Sequence, residues 1–127
     1  MNVLMLDTNV LIDYLKNRQE AVDYLAQCVR QGIRLACSVI TVAELLTGIR
    51  SGEEERVMRF LRAFDTFDIT VDISVLAGAY MRQFRSRNHL SLADALLAAT
   101  ANVHQVEFCT LNTKHFPMQD IQVIRPY

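Results

Sequence analysis

No stretch of this chain is apolar for long enough to cross a bilayer, and no charged-then-apolar leader precedes Leu4. A cytoplasmic protein is the expectation. Proline occurs only twice, at Pro117 and Pro126, and no Pro/Gly-rich linker, low-complexity tract or internal repeat divides the 127 residues. That length without a break predicts a single domain, residues 1–127, with a real core. Cysteine is scarce as well. Cys28, Cys37 and Cys109 are odd in number and lack C-x-x-C spacing, so they read as core thiols, neither a disulfide framework nor a zinc site. Net charge is almost absent at -1, and nothing global announces a nucleic-acid binder. Lysine is rare: Lys16 and Lys114 stand beside eleven arginines, whose planar fork suits phosphate and carboxylate.

What is present is an alternation of short apolar runs and helical patterns. Residues 2–6 read as a first strand, and from Thr8 to about Asn17 apolar residues recur at helical spacing. A second helix runs to Gln31, where Gly32 is placed to stop it. Ile33 to Cys37 reads as a strand, Thr41 to Ile49 as a helix ending near Gly52, and a further helix begins within Glu53–Glu55. Asp68 to Val71 alternates as a short strand, and residues 73–87 return to helical periodicity. Ser91 to about His104 is a helix apolar on nearly every side, hence buried; Phe108–Leu111 and Ile121–Ile124 are the last strands. Strands separated by helices predict an α/β fold, a three-layer α/β/α sandwich with a mainly parallel central sheet.

Three carboxylates stand where this pattern expects none. Asp7 follows the first strand in MLDTN, Glu44 interrupts the apolar TVAELL, and Asp94 is the only charged residue between Ser91 and Gln105 apart from His104. The plain explanation is helix capping: Asp7 suits a helix start, and Thr41-x-x-Glu44 and Ser91-x-x-Asp94 have capping-box spacing. Taken together, the acids suggest more. Ligands of open parallel sheets bind outside the carboxyl ends of the strands. If the Glu44 and Asp94 helices begin at that end, all three acids face one cleft. Converging carboxylates repel unless a cation joins them. Oxygen ligands without His or Cys suit Mg²⁺ or Mn²⁺ over zinc. Such an ion lowers the pKa of a bound water and steadies charge building on a phosphate, the chemistry of phosphodiester hydrolysis. The segment TLNTKHF adds Thr110 and Asn112 as polar support, although a strand-to-helix turn explains them equally well.

LDTNVLIDYL, the Glu of TVAEL, SLADALLAATA and TLNTKHF, in that order, resemble the PIN-domain family, and within it the VapC-type toxins of bacterial toxin–antitoxin pairs. The resemblance spans essentially the whole chain. It implies a metal-dependent endoribonuclease acting on RNA, often tRNA or ribosomal RNA, with Asp7, Glu44 and Asp94 as the acidic core. It also implies Thr8 as a hydrogen-bonding neighbour of the first acid, and Thr110 and Asn112 as the polar fourth motif. A homodimer and a cognate VapB-type antitoxin are implied as partners. One departure stands out. Many relatives carry a fourth acid at the Asn112 or His115 position, and neither is acidic here, which bears on whether one metal or two is held.

Other residues carry less. Arg82, Arg85 and Arg87 precede Asp94 and suit either an RNA backbone or a solvated helix face; Arg56, Arg59 and Arg62 follow acids at salt-bridge spacing. Two competing classes remain. An aspartyl phosphotransferase would use Asp7 as nucleophile but wants a second Asp two residues on, where Asn9 stands. A non-catalytic binding module on the same fold gains little from clustered like charges.

Overall fold

The computed structural model describes residues 2–127. Its sheet has five parallel strands: β1 (Val3–Leu6), β2 (Arg34–Ser38), β3 (Asp65–Phe67), β4 (Glu107–Cys109) and β5 (Val123–Ile124), in the order β3-β2-β1-β4-β5. Six α-helices connect them among the described residues: α1 (Thr8–Leu15), α2 (Gln19–Arg30), α3 (Val39–Thr47), α4 (Glu54–Leu61), α5 (Val71–Asn88) and α6 (Leu92–His104). The period of two in β1 explains the layers. Met5 points into a core shared with Phe108 and the buried faces of α5 and α6, while Leu4 and Leu6 point into a second core with residues of α1, α2, α3 and α4. This is the expected α/β/α sandwich. The three cysteines are free and buried, and no helix among the described residues is long and apolar enough to cross a membrane.

The order of strands positions a site. From β1 the chain steps to β2 and β3 on one side, and β4 and β5 fill the other. The direction therefore reverses beside β1, and the crevice lies between the carboxyl ends of β1 and β4. Asp7 follows the first of these strands and Thr110 the second.

Several boundaries differ from the sequence expectation, each for a local reason. The third strand lies at Asp65–Phe67, not Asp68–Val71, because Asp65 to Phe67 pair with Ala36 to Ser38 and Arg34 holds Asp65 across the pair. Thr70 instead caps α5, its hydroxyl accepting from Ile73 N–H at 3.3 Å. Helix α3 starts at Val39, ahead of Thr41, because Ser38 Oγ accepts from Ile40 N–H at 3.0 Å. Glu44 therefore stands in the second turn, outside any capping box. Strand β4 stops at Cys109, β5 is only Val123–Ile124, and α1 stops at Leu15, with Asn17 in the left-handed region at φ 61°. Gly32 has φ +76°, as a helix stop requires.

Candidate functional site

Asp7 is the centre of the polar structure at this carboxyl end of the sheet. Only 6 % exposed, it caps α1: Oδ1 accepts from Thr8 N–H at 2.7 Å. Its other oxygen, Oδ2, accepts from the Thr110 hydroxyl at 2.7 Å. The expected capping role and a place in a polar cluster thus coincide in one residue. Burial raises the Asp7 carboxyl to about 6 from an ordinary 3.8; the Thr110 and Thr8 hydrogen bonds pull it down, and the negative charges of Asp94 and Glu44 push it up further.

Thr110 is satisfied on all sides. Its hydrogen goes to Asp7, and its lone pairs receive Asn112 N–H at 3.0 Å and the Asn9 amide at 3.3 Å. The Asn9 carbonyl in turn accepts from Leu111 N–H at 3.4 Å, so Asn9 clamps the segment after β4 onto α1. Asn112 contributes its backbone N–H, and the residue itself is exposed, ahead of a short 3-10 helix at Thr113–His115.

Thr8 bonds two of the acids, each through a different group. Its backbone N–H, not its hydroxyl, bonds Asp7. The hydroxyl lies 2.6 Å from Glu44 Oε1 and 3.0 Å from Thr41 Oγ1. One hydrogen cannot serve both, and the shorter, charge-assisted contact takes it, which leaves Thr41 donating to Thr8. Glu44 is reached from the start of α1 through this buried pair of hydroxyls, while the residue itself is solvent-exposed.

Asp94 sits in the first turn of α6 within a complete capping box: its N–H bonds Ser91 Oγ at 3.1 Å, and its Oδ2 accepts from Ser91 N–H at 3.4 Å. His115 Nδ1 lies 3.8 Å from the same oxygen. Capping fixes the side chain and its charge still acts on Asp7. The three acids therefore share one end of the sheet, but among the described residues no three His, Cys, Asp or Glu side chains close into a metal cage. The donors are all oxygen, and the most buried of them has its ionised form disfavoured by burial first and by two like charges in addition. A cation that keeps part of its water shell and takes one or two carboxylates matches such a set.

Asn9 and Thr41 belong to the site, and Arg125 holds the segment behind it, although the sequence pattern gives none of them a place there. Asn9 carries a weak signal, as a polar residue in the first turn of an otherwise apolar helix. Thr41 has the spacing of a cap, which hides its contact with Thr8. Arg125, whose Nη1 donates to Leu111 O at 2.6 Å, leaves no signal because its contact is to backbone. Arg59 pairs with Glu55 at 3.3 Å and Arg56 with Glu53 at 3.8 Å, ordinary helical ion pairs, and Tyr14 stacks on Phe60. Arg82, Arg85 and Arg87 lie near the end of α5, with Arg85 and Arg87 in its last turn.

Comparison with known proteins agrees with this architecture. The family model described as PIN domain matches residues 4–119. A protein named Ribonuclease VapC10 from Mycobacterium tuberculosis is 40% identical over 117 residues, covering 91% of this chain and 87% of its own. Ribonuclease VapC1 from Methanocaldococcus jannaschii is 32% identical over 115 residues, covering 89% and 78%. Among solved structures, a toxin-antitoxin complex from Klebsiella pneumoniae superposes with a TM-score of 0.81 at 32% identity, covering 98% of both chains. VapBC-1 from nontypeable Haemophilus influenzae superposes at 0.82 with 25% identity and the same coverage. The chain belongs to the PIN-domain family and, within it, to the VapC-type proteins.

Proposed function

We propose that this protein is a metal-dependent endoribonuclease, the toxin of a VapBC-type pair, cutting RNA phosphodiester bonds in tRNA or ribosomal RNA. The observation that carries the reading is Asp7: a buried carboxylate, raised to about 6, with Asp94 and Glu44 acting on it and no cation among the described residues paired with it. Such a group is costly unless something positive binds it. Two of the relatives above, at 40% and 32% identity, are named ribonucleases.

Asp7 and Asp94 would hold Mg²⁺ or Mn²⁺, with Glu44 as a third ligand or as the group that orients a water. With no acid at Asn112 or His115, one ion is assigned. When bound, the ion supplies an acidified water and offsets charge on the scissile phosphate. The chain supplies the positioning. Thr110, fixed by Asn9 and Asn112 N–H, holds one Asp7 oxygen, and the Thr8 amide holds the other. The Thr8 and Thr41 hydroxyls hold Glu44, and the Ser91 box holds Asp94. Position 9, where phosphoaspartate chemistry wants a second acid, is Asn, and its amide is taken up in this clamp.

A VapB-type antitoxin is the proposed inhibitory partner, supported by solved relatives that include a toxin-antitoxin complex; a cytoplasmic homodimer is proposed as the working form on the family resemblance alone. Brief expression followed by mapping of new RNA ends, with Asp7→Asn as control, tests the reading. Discrete new ends with the parent chain and none with the variant are expected. Identical RNA from both overturns it.

A further inference from the structure

After β5 the chain turns back onto the segment that carries Thr110. Thr110 N–H donates to Ile124 O at 2.9 Å, and the next residue, Arg125, sends Nη1 to Leu111 O at 2.6 Å. Arg125 Nε donates to Tyr127 O at 3.1 Å, so one planar guanidinium bonds two carbonyls. The Tyr127 hydroxyl donates to Asp13 Oδ2 at 2.8 Å, and Arg18 Nη1 donates to the same oxygen at 3.3 Å. The Tyr127 ring is held as well, by the Arg18 guanidinium 5.4 Å from its centre and by Tyr24 edge-on at 6.5 Å. Asp13 and Asn9 stand four residues apart on α1, hence on one face of that helix. Asn9 accepts from Leu111 N–H at 3.4 Å, which closes a circuit. It runs from α1 to Leu111 after β4, on to Arg125 and Tyr127 after β5, and back to α1, with a hydrogen bond at each crossing between segments. Both backbone polar groups of Leu111 lie within it.

We infer that Arg125 and Tyr127 are positioning residues of the acidic site, closing this circuit so that Leu111 and Asn112 stay where Thr110 presents its hydroxyl to Asp7. The effect on rate rests on the proposed reading of the acids as an RNA-cutting site; the effect on geometry does not. Of the two holds on Leu111, the Asn9 bond at 3.4 Å is long and weak, and the charge-assisted Arg125 bond at 2.6 Å is the stronger. The peptide so held is adjacent to Thr110, and Asn112 N–H bonds Thr110 Oγ1 at 3.0 Å. That same oxygen carries the hydrogen that reaches Asp7 Oδ2 at 2.7 Å. A misplacement of about 1 Å in a positioned group, even from a change far from the chemistry, lowers a rate on the order of a hundredfold. Arg125 is exposed, as a cation that meets RNA phosphate would be, yet its Nε and Nη1 are committed to carbonyls.

Amide hydrogen exchange of the metal-free protein in EDTA, followed residue by residue by NMR, reads the geometry without any cleavage. Arg125→Ala should exchange the Leu111 and Asn112 amides about tenfold faster than the parent, with the β1 amides at the parental rate. Tyr127→Phe removes no charge and should move the same two amides in the same direction. In RNA cleavage with Mg²⁺ or Mn²⁺, Arg125→Ala should lower kcat about tenfold or more and leave KM within about twofold. Its affinity for a short single-stranded RNA in EDTA should keep the parental dependence on salt. Parental exchange at both amides in Arg125→Ala overturns the inference. So does an unchanged kcat with a salt slope smaller by about one, because Arg125 then contacts RNA phosphate. If the parent cuts no RNA, the catalytic reading fails, and exchange at the two amides still upholds or overturns the circuit.

Discussion

The Thr8 hydroxyl fixes Glu44, donating to Oε1 at 2.6 Å from the first residue of α1 to the second turn of α3. Glu44 is otherwise exposed, so this bond decides where its charge sits. Thr8→Val keeps the shape and the amide bond to Asp7 but removes the donor to Glu44. It should cost about 1–2 kcal/mol of stability and lower the cleavage rate roughly ten- to a hundredfold, with Thr8→Ser restoring most of it. Steady-state rates of the two folded variants check this; a fast Thr8→Val enzyme would show that Glu44 needs no such anchor.

Thr110→Val should disturb Asp7 more than it disturbs the fold. The variant leaves Asp7 Oδ2, Asn112 N–H and the Asn9 amide without their shared partner. A loss of about 1–3 kcal/mol is expected. Because the Thr110 bond holds the Asp7 carboxyl down against burial, its loss should move the titration of Asp7 above about 6. Carboxyl chemical shifts followed against pH report that shift directly.

Stability should fall with pH in the metal-free protein. Asp7 has a folded value of about 6 above an ordinary 3.8, so between those values the folded state binds more protons than the unfolded chain. The linkage sign is then negative: stability from this group is fully present below 3.8 and is lost as pH rises through about 6. The change is on the order of 1–3 kcal/mol. Urea unfolding in EDTA should show that decline in the parent chain and a flatter profile in Asp7→Asn.

Metal should reverse the penalty. A ligand that binds only the folded state at a hundred times its Kd adds about 2.7 kcal/mol. Mg²⁺ or Mn²⁺ should therefore raise the melting temperature of the parent protein at neutral pH, and much less that of Asp94→Asn. Equal shifts in both would place the ion elsewhere.

Much of the architecture is legible in the amino-acid sequence. Buried strands such as Val3–Leu6 are announced by unbroken apolar runs, and α6 by its small apolar residues. Where patterns conflict, local capping decides: Thr70 and Asp72 make a helix start out of a stretch that alternates like a strand, and Ser38 moves the start of α3 ahead of Thr41. The acids stand out because charge is rare in apolar segments. Their wiring does not. That Thr8 offers its amide to one acid and its hydroxyl to another depends on how α3 packs on α1, and Asn9 and Thr110 meet across 101 residues of chain. Pairings of that range are set by topology, which no local pattern records.

The most direct measurement compares cleavage of purified RNA in Mg²⁺ or Mn²⁺ by the parent protein and by Asp94→Asn, with circular dichroism to verify that both are folded. Asp94 acts on Asp7 through its charge and caps its own helix, and Asn preserves most of the cap. Discrete cleavage by the parent and essentially none by the folded variant are expected if the three acids hold the ion that cuts RNA. Cleavage at the parental rate by folded Asp94→Asn would contradict that assignment.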